Sequence, residues 1–206
     1  MNGNNILNTS LVKPPKSKKL IQLITLGVCT AINLSAGLLT HYIQLPIFLD
    51  TLGTVLATIF GGLFTGLVTG IFSSLVGWWI VNPVLPYYIG IHIVIVLCTA
   101  WLSDRGYFRT IGRSVLSGLF LGFLAAIVSA PIIILFQGDT QTCTDPTTNF
   151  LVNQGVPFSI AVFLSNSVPE PFDKVAICSI AFFIIKSLNV ILKKHSENLG
   201  YLSKNV

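Results

Sequence analysis

Between Lys19 and Asp104 the chain carries one formal charge, Asp50, in the run Leu45-Pro46-Ile47-Phe48-Leu49-Asp50-Thr51-Leu52-Gly53-Thr54. The stretches on either side are comfortable only in lipid, and a carboxylate between them must face water, a polar cavity or a partner. With the glycine-rich run that follows, Asp50 points to a polar pocket built into a small integral membrane protein.

Composition leads to the same class. Of the 206 residues, 52% are hydrophobic and 9% charged, and the mean hydropathy is +0.80, whereas soluble domains carry about 25% charged residues. A membrane-crossing helix needs about 20 apolar residues, so there is room for roughly six with almost no soluble remainder. That excludes a separate extramembrane catalytic domain. The lack of a glycine loop ending in Lys-Ser/Thr excludes a nucleotide-binding domain, so any ATP-driven step falls to another subunit.

The net charge of +5 gathers at Lys13, Lys16, Lys18 and Lys19, at Arg105, Arg109 and Arg113, and at Lys193 and Lys194. These positions flank apolar segments and read as cytoplasmic topology determinants rather than a nucleic-acid surface. Cys29, Cys98, Cys143 and Cys178 form no CxxC pair or zinc spacing. Three of them sit in spans as small apolar fillers, leaving Cys143 as the candidate reactive thiol or ligand. No metal site and no cofactor are expected. The apolar stretch from Leu20 lacks a processing site and is followed by further spans, so it reads as a first helix rather than a signal peptide.

The spacing predicts a disordered cytoplasmic tail over 1–17, a single six-helix membrane domain over 18–194 and a cytoplasmic tail over 195–206. The first span covers Lys19 to Thr40, and a loop from His41 to Leu49 follows, in which Pro46 discourages helix. The block from Asp50 to Val81 is too long for one helix. Gly61-Gly62 divides it into a short second helix ending near Phe60, which needs tilting or shielding by protein, and a third from Leu63 to Ile80. Asn82-Pro83-Val84-Leu85-Pro86 is a break before a fourth helix, Tyr87 to Leu102. The connection from Asp104 to Arg109 leads to a fifth, Ile111 to Phe136. A polar stretch from Gln137 to Asn149 and an interrupted apolar segment, Phe150 to Ser165, form an irregular outer segment before a sixth helix, Phe172 to Leu192. Six spans put both termini and every Lys/Arg cluster on the cytoplasmic face. Seven crossings result if 150–165 spans, and five if 50–81 is one re-entrant unit.

The polar and aromatic groups concentrate at the outer breaks. Asp50 and Thr51 open the second helix, where a carboxylate is a good N-cap and also a candidate pocket wall. Trp78, Trp79, Tyr87 and Tyr88 surround the break that holds Asn82, as interface anchors or as stacking partners for a planar ligand. His92 lies about one turn beyond Tyr88. Across the mouth stand Asn153, Gln154, Asn166, Glu170, Asp173 and Lys174. All of these except Glu170 form the candidate substrate-binding set. No Ser-His-Asp order, HExxH motif or pair of intramembrane carboxylates is present, so hydrolase, metalloprotease and proton-pump chemistry lack their residues and no enzyme activity is expected. Gly27, Ala31 and Ser35, four residues apart, align small side chains on one face of the first helix, for internal packing or for a partner.

This layout, with Gly61-Gly62-Leu63-Phe64-Thr65-Gly66-Leu67-Val68-Thr69-Gly70 after the Asp50 run, then Asn82-Pro83 and Pro171-Phe172-Asp173-Lys174, resembles the substrate-binding S components of energy-coupling factor (ECF) transporters over about residues 19–194. The resemblance implies a six-helix subunit of a bacterial or archaeal cytoplasmic membrane that captures a vitamin or related micronutrient from outside. It implies docking through the first helix onto a transmembrane coupling protein with two ATPase subunits, followed by toppling to release substrate inside. The family's alanine-xxx-alanine motif reads Ala31-xxx-Ser35 here, preceded by Gly27. The alternative is a membrane ligand-sensing domain reporting to a signalling partner, and a membrane enzyme using Cys143 or His92 ranks last.

Overall fold

The computed structural model describes the backbone of residues 16–43, 47–138, 140, 142 and 144–203, and their side chains outside 16–18, 189 and 192–203. The tail reading for 1–15, the Pro46 break, Asp139, Cys143 and residues 204–206 lie outside the described residues.

Every regular element among the described residues is helical: α1 (Lys16–Ile43), α2 (Leu52–Gly61), α3 (Leu63–Ile80), α4 (Ile89–Asp104), α5 (Ile111–Leu135), α6 (Asp145–Asn153), α7 (Phe158–Ser167) and α8 (Pro169–Ser203), with short 3-10 turns at Leu85–Tyr88 and Tyr107–Arg109. The segments Lys19–Ile43, Leu63–Ile80, Leu85–Asp104 and Ile111–Leu135 are long and apolar enough to cross a membrane. In lipid the helix satisfies every backbone polar group internally. The chain is an all-helical, membrane-embedded protein.

The expected division at Gly61-Gly62 is present. Gly62 has φ +84°, a conformation glycine adopts without a Cβ penalty, and its amide donates to the Thr58 carbonyl at 3.0 Å to end α2. At ten residues, α2 is about 15 Å long, half of a bilayer core of about 30 Å. It tolerates this because Gly53 through Thr58 are all buried between α1, α3, α4 and α8. The shielding expected for a short second helix is supplied by protein.

The most extensive helix pair is α5 with α8. Ser114, Gly118, Gly122 and Ala126 form a buried small-residue stripe on α5. A Cβ at Gly118 would meet the Lys174 carbonyl and Val175, and one at Gly122 would meet Pro171 and the Glu170 carbonyl. This close approach presses the first turns of α8 into the bundle. It is the small-xxx-small device of membrane helix association, used here within the chain.

Three boundaries differ from the sequence reading. Helix α1 starts at Lys16 and continues to Ile43, past Thr40. Residues 145–167 form two short helices instead of an irregular segment, because Pro146 occupies the first turn of α6, where a missing N–H costs nothing. Gly155, at φ +87°, then separates α6 from α7. Neither is long enough to cross a membrane. Helix α8 begins at Pro169 and runs on to Ser203, through most of the expected tail.

Candidate functional site

One end of the bundle holds a half-open cavity. Its walls are the C-terminal turns of α1 (Gly37, Thr40, His41), the segment Phe48–Thr51 before α2, the C-terminal half of α3 (Ser73, Ser74), the Leu85–His92 stretch, the end of α5 (Ser129, Ile133), Thr142, Asn166 of α7, and Glu170 and Lys174 of α8. C-terminal and N-terminal ends alternate in this lining. Helices α1, α2, α3, α4, α5 and α8 therefore run alternately toward and away from it, and the Arg105–Arg113 connection lies at the opposite end. The cavity has two lobes, of about 90 Å3 and 70 Å3, which share Phe48, Asp50, Leu85, His92 and Thr142. A water needs about 10–15 Å3 of such space, so each lobe has room for several waters or part of a small organic ligand.

A buried hydrogen-bond network forms the floor. Asn33 Oδ1 accepts the Gly53 amide at 2.6 Å and the Thr54 amide at 3.3 Å. Asn33 Nδ2 donates to Thr54 Oγ1 at 2.9 Å and to Ser73 Oγ at 3.1 Å. Thr54 Oγ1 lies 3.0 Å from His92 Nδ1. The Thr54 hydroxyl thus joins the Asn33 amide to the His92 ring, which lines the cavity. Gly70 makes room for this ring, since a Cβ there would come within 2.7 Å of His92 Cβ.

The outer wall is charged. Asp173 Oδ1 accepts the amides of Phe48 at 3.0 Å and Leu49 at 2.7 Å, while Oδ2 accepts from Lys174 Nζ at 2.5 Å. Lys174 Nζ lies 3.4 Å from Glu170 Oε2, close enough for charge attraction, but Glu170 Oε2 has no hydrogen-bond partner. Asp50 is half-buried and lines both lobes. Burial pushes its carboxyl above the ordinary carboxylate range, and the Lys174 ammonium pulls in the other direction. The N-cap expected of Asp50 is made differently. Helix α2 has Thr51 at its N-cap position with no side-chain cap bond, and Asn33 takes the first-turn amides.

Of the candidate site residues, Asp50, Thr51, Asn82, Tyr88, His92, Asn166 and Lys174 line the cavity, and Asp173 lies directly behind Lys174. Asn82 is fully engaged, donating to the Thr140 carbonyl at 2.9 Å and accepting the Val84 amide at 2.8 Å, so it shapes the rim. The remaining residues are elsewhere. Trp78 and Trp79 face outward, edge to face with each other at 5.6 Å, and Trp79 is 82% exposed. Tyr87 packs on Phe136, and Asn153 and Gln154 are exposed at the end of α6. Outward aromatics near a membrane boundary fit interface anchors. Sequence reasoning missed Asn33, a side-chain amide inside an apolar span that by its cost should face the interior, and left Glu170 out of the set. On α1, Gly27, Ala31 and Ser35 are exposed, and a Cβ at Gly27 would meet nothing within 4 Å. Among the described residues, packing leaves these three positions exposed.

Fold and site together define a class: a helical membrane protein with a half-open, mostly apolar cavity at one end of its bundle, into which a few polar and charged side chains are set. Comparison with known protein families, with characterised proteins and with solved structures gives no match.

Proposed function

We propose that this chain is the substrate-binding S component of an ECF-type importer in a bacterial or archaeal cytoplasmic membrane, capturing a vitamin or related micronutrient from outside. The observation that carries the reading is the half-open cavity, whose walls come from alternating ends of six helices and whose few polar groups include Asn33, Asp50, His92, Glu170 and Lys174. Ligand sites of this kind combine apolar walls with a few placed polar groups. In this reading α1, α2, α3, α4, α5 and α8 are the six crossings and both termini are cytoplasmic. The cluster Arg105, Arg109 and Arg113 marks the inner face, so the cavity opens outward.

The exposed Gly27, Ala31 and Ser35 face of α1 supports the second half of the reading, docking onto a transmembrane coupling protein with two ATPase subunits. Small residues allow close helix approach in lipid, and this face is left uncovered. The energy for import comes from those partner ATPases.

The test is co-expression with an ECF coupling protein and its paired ATPases. The chain should co-purify with them and confer ATP-dependent uptake of a vitamin from a defined panel. Failure to co-purify, together with uptake no higher than in cells lacking the chain, would sink the importer reading.

A further inference from the structure

Acidic groups outnumber basic ones around the cavity. Three acidic side chains, Asp50, Glu170 and Asp173, lie about one ammonium, Lys174. Asp173 is already committed, with one oxygen on the Phe48 and Leu49 amides and the other on Lys174. His92 Nδ1 is taken up by Thr54 Oγ1 at 3.0 Å. Asp50 and Glu170 both line the second lobe. A carboxyl in a shielded site keeps its negative charge only where something pairs with it.

Two hydroxyls of residues lining these lobes, Thr51 Oγ1 and Ser74 Oγ, have no hydrogen-bond partner among the described residues, and Glu170 Oε2 has only its 3.4 Å ion pair with Lys174. Their residues are 1%, 3% and 5% exposed. Buried polar groups are nearly always paired, and a guest in the cavity can supply partners to these atoms. Among the described residues no three His, Cys, Asp or Glu side chains converge to hold a metal ion. Aromatic rings of Phe48 and Tyr88 complete the wall, and aromatic faces attract organic cations.

We propose that the cavity takes a small organic cation, an amine or a positively charged aromatic ring, whose charge lies between Asp50 and Glu170. This rests on the reading of the cavity as a ligand site and names the class of its ligand. Lys174 is not an anion receptor, because its charge is more than matched by Asp173 and Glu170.

The experiment is equilibrium dialysis of the full chain in nanodiscs against an equimolar mixture built on matched scaffolds, with bound compounds read by mass spectrometry. The mixture holds N-methylpyridinium, 1-methylnicotinamide, choline and benzylammonium as cations, nicotinamide and benzyl alcohol as neutral forms, and nicotinate and benzoate as anions. At least one cation should be retained about tenfold over its neutral partner. Asp50→Asn and Glu170→Gln should each weaken that retention roughly 30-fold or more. Because Asp50→Asn replaces a carboxylate that burial disfavours with a neutral group of the same shape, its ligand-free melting temperature should equal or exceed that of the unaltered chain. A fall in melting temperature would mean that the carboxylate serves the fold.

Preferential retention of a neutral or anionic compound, or no preference among the three classes, overturns the proposal. It would leave the importer reading intact, since that rests on co-purification and uptake. Cation retention with neither co-purification nor uptake above that of cells lacking the chain would support the proposal and end the importer reading.

Discussion

Asn33 Oδ1, about midway along α1, accepts the Gly53 amide at 2.6 Å and so caps a different helix, α2. The contact is close because Gly53 has no side chain, and a Cβ there would collide with the Cys29 carbonyl. One amide side chain thus holds α1, α2 and α3 together beneath the cavity, through Gly53, Thr54 and Ser73.

Asn33→Ala should therefore destabilise the protein by about 1–3 kcal/mol, because it strands two first-turn amides in a buried site. Gly53→Ala should cost a similar amount, about 1–3 kcal/mol, by forcing α1 and α2 apart. Thermal unfolding in detergent measures both. Wild-type-like melting for Asn33→Ala would show that water replaces the cap.

Asp173 and Asp50 should behave oppositely. Asp173→Ala removes the partner of a buried ammonium and the acceptor for two backbone amides, and breaking such a pair costs about 3–5 kcal/mol. Loss of folded protein or a steep fall in melting temperature is expected for Asp173→Ala, against little or no fall for Asp50→Asn. Equal damage from both would mean that Asp50 is also part of the clasp between the 47–50 segment and α8.

A Thr54 hydroxyl that donates to His92 Nδ1 across their 3.0 Å contact leaves the ring hydrogen on Nε2. Nitrogen NMR of histidine-labelled protein near neutral pH should show His92 Nδ1 without a proton and Nε2 carrying one. Thr54→Val removes the donor to Nδ1 and should shift that resonance while leaving the other histidines unchanged. A protonated Nδ1 in the unaltered chain would reverse the direction of the Thr54 bond.

On the outer surface of α1, Ala31→Leu and Ser35→Leu project bulk where the chain makes no use of the space. Uptake by a reconstituted ECF module should fall at least about tenfold, while cation retention in the dialysis assay stays within about twofold. If retention falls along with uptake, the face supports the bundle rather than a partner.

Much of the architecture was legible because it depends on local properties. Apolar length and low charge set the class. Gly61-Gly62 and Asn82-Pro83 interrupt helices wherever they stand, and Asp50 had to find a polar environment because a lone carboxylate in an apolar stretch has few alternatives. The need for protein around a short second helix followed from its length.

The site itself was decided by which helix faces meet, and that is not a local property. Asp173 binds the Phe48 and Leu49 amides across 125 and 124 residues of chain, and Asn33, rather than the adjacent Asp50, caps α2. The α5 glycines bring Glu170 and Lys174 to the cavity, whereas Trp78 and Trp79, next to the same break, rotate outward. A sequence determines that polar groups in apolar segments must be satisfied. Only the packed bundle determines with what, because in lipid each partner is chosen by close approach between helices that are distant along the chain.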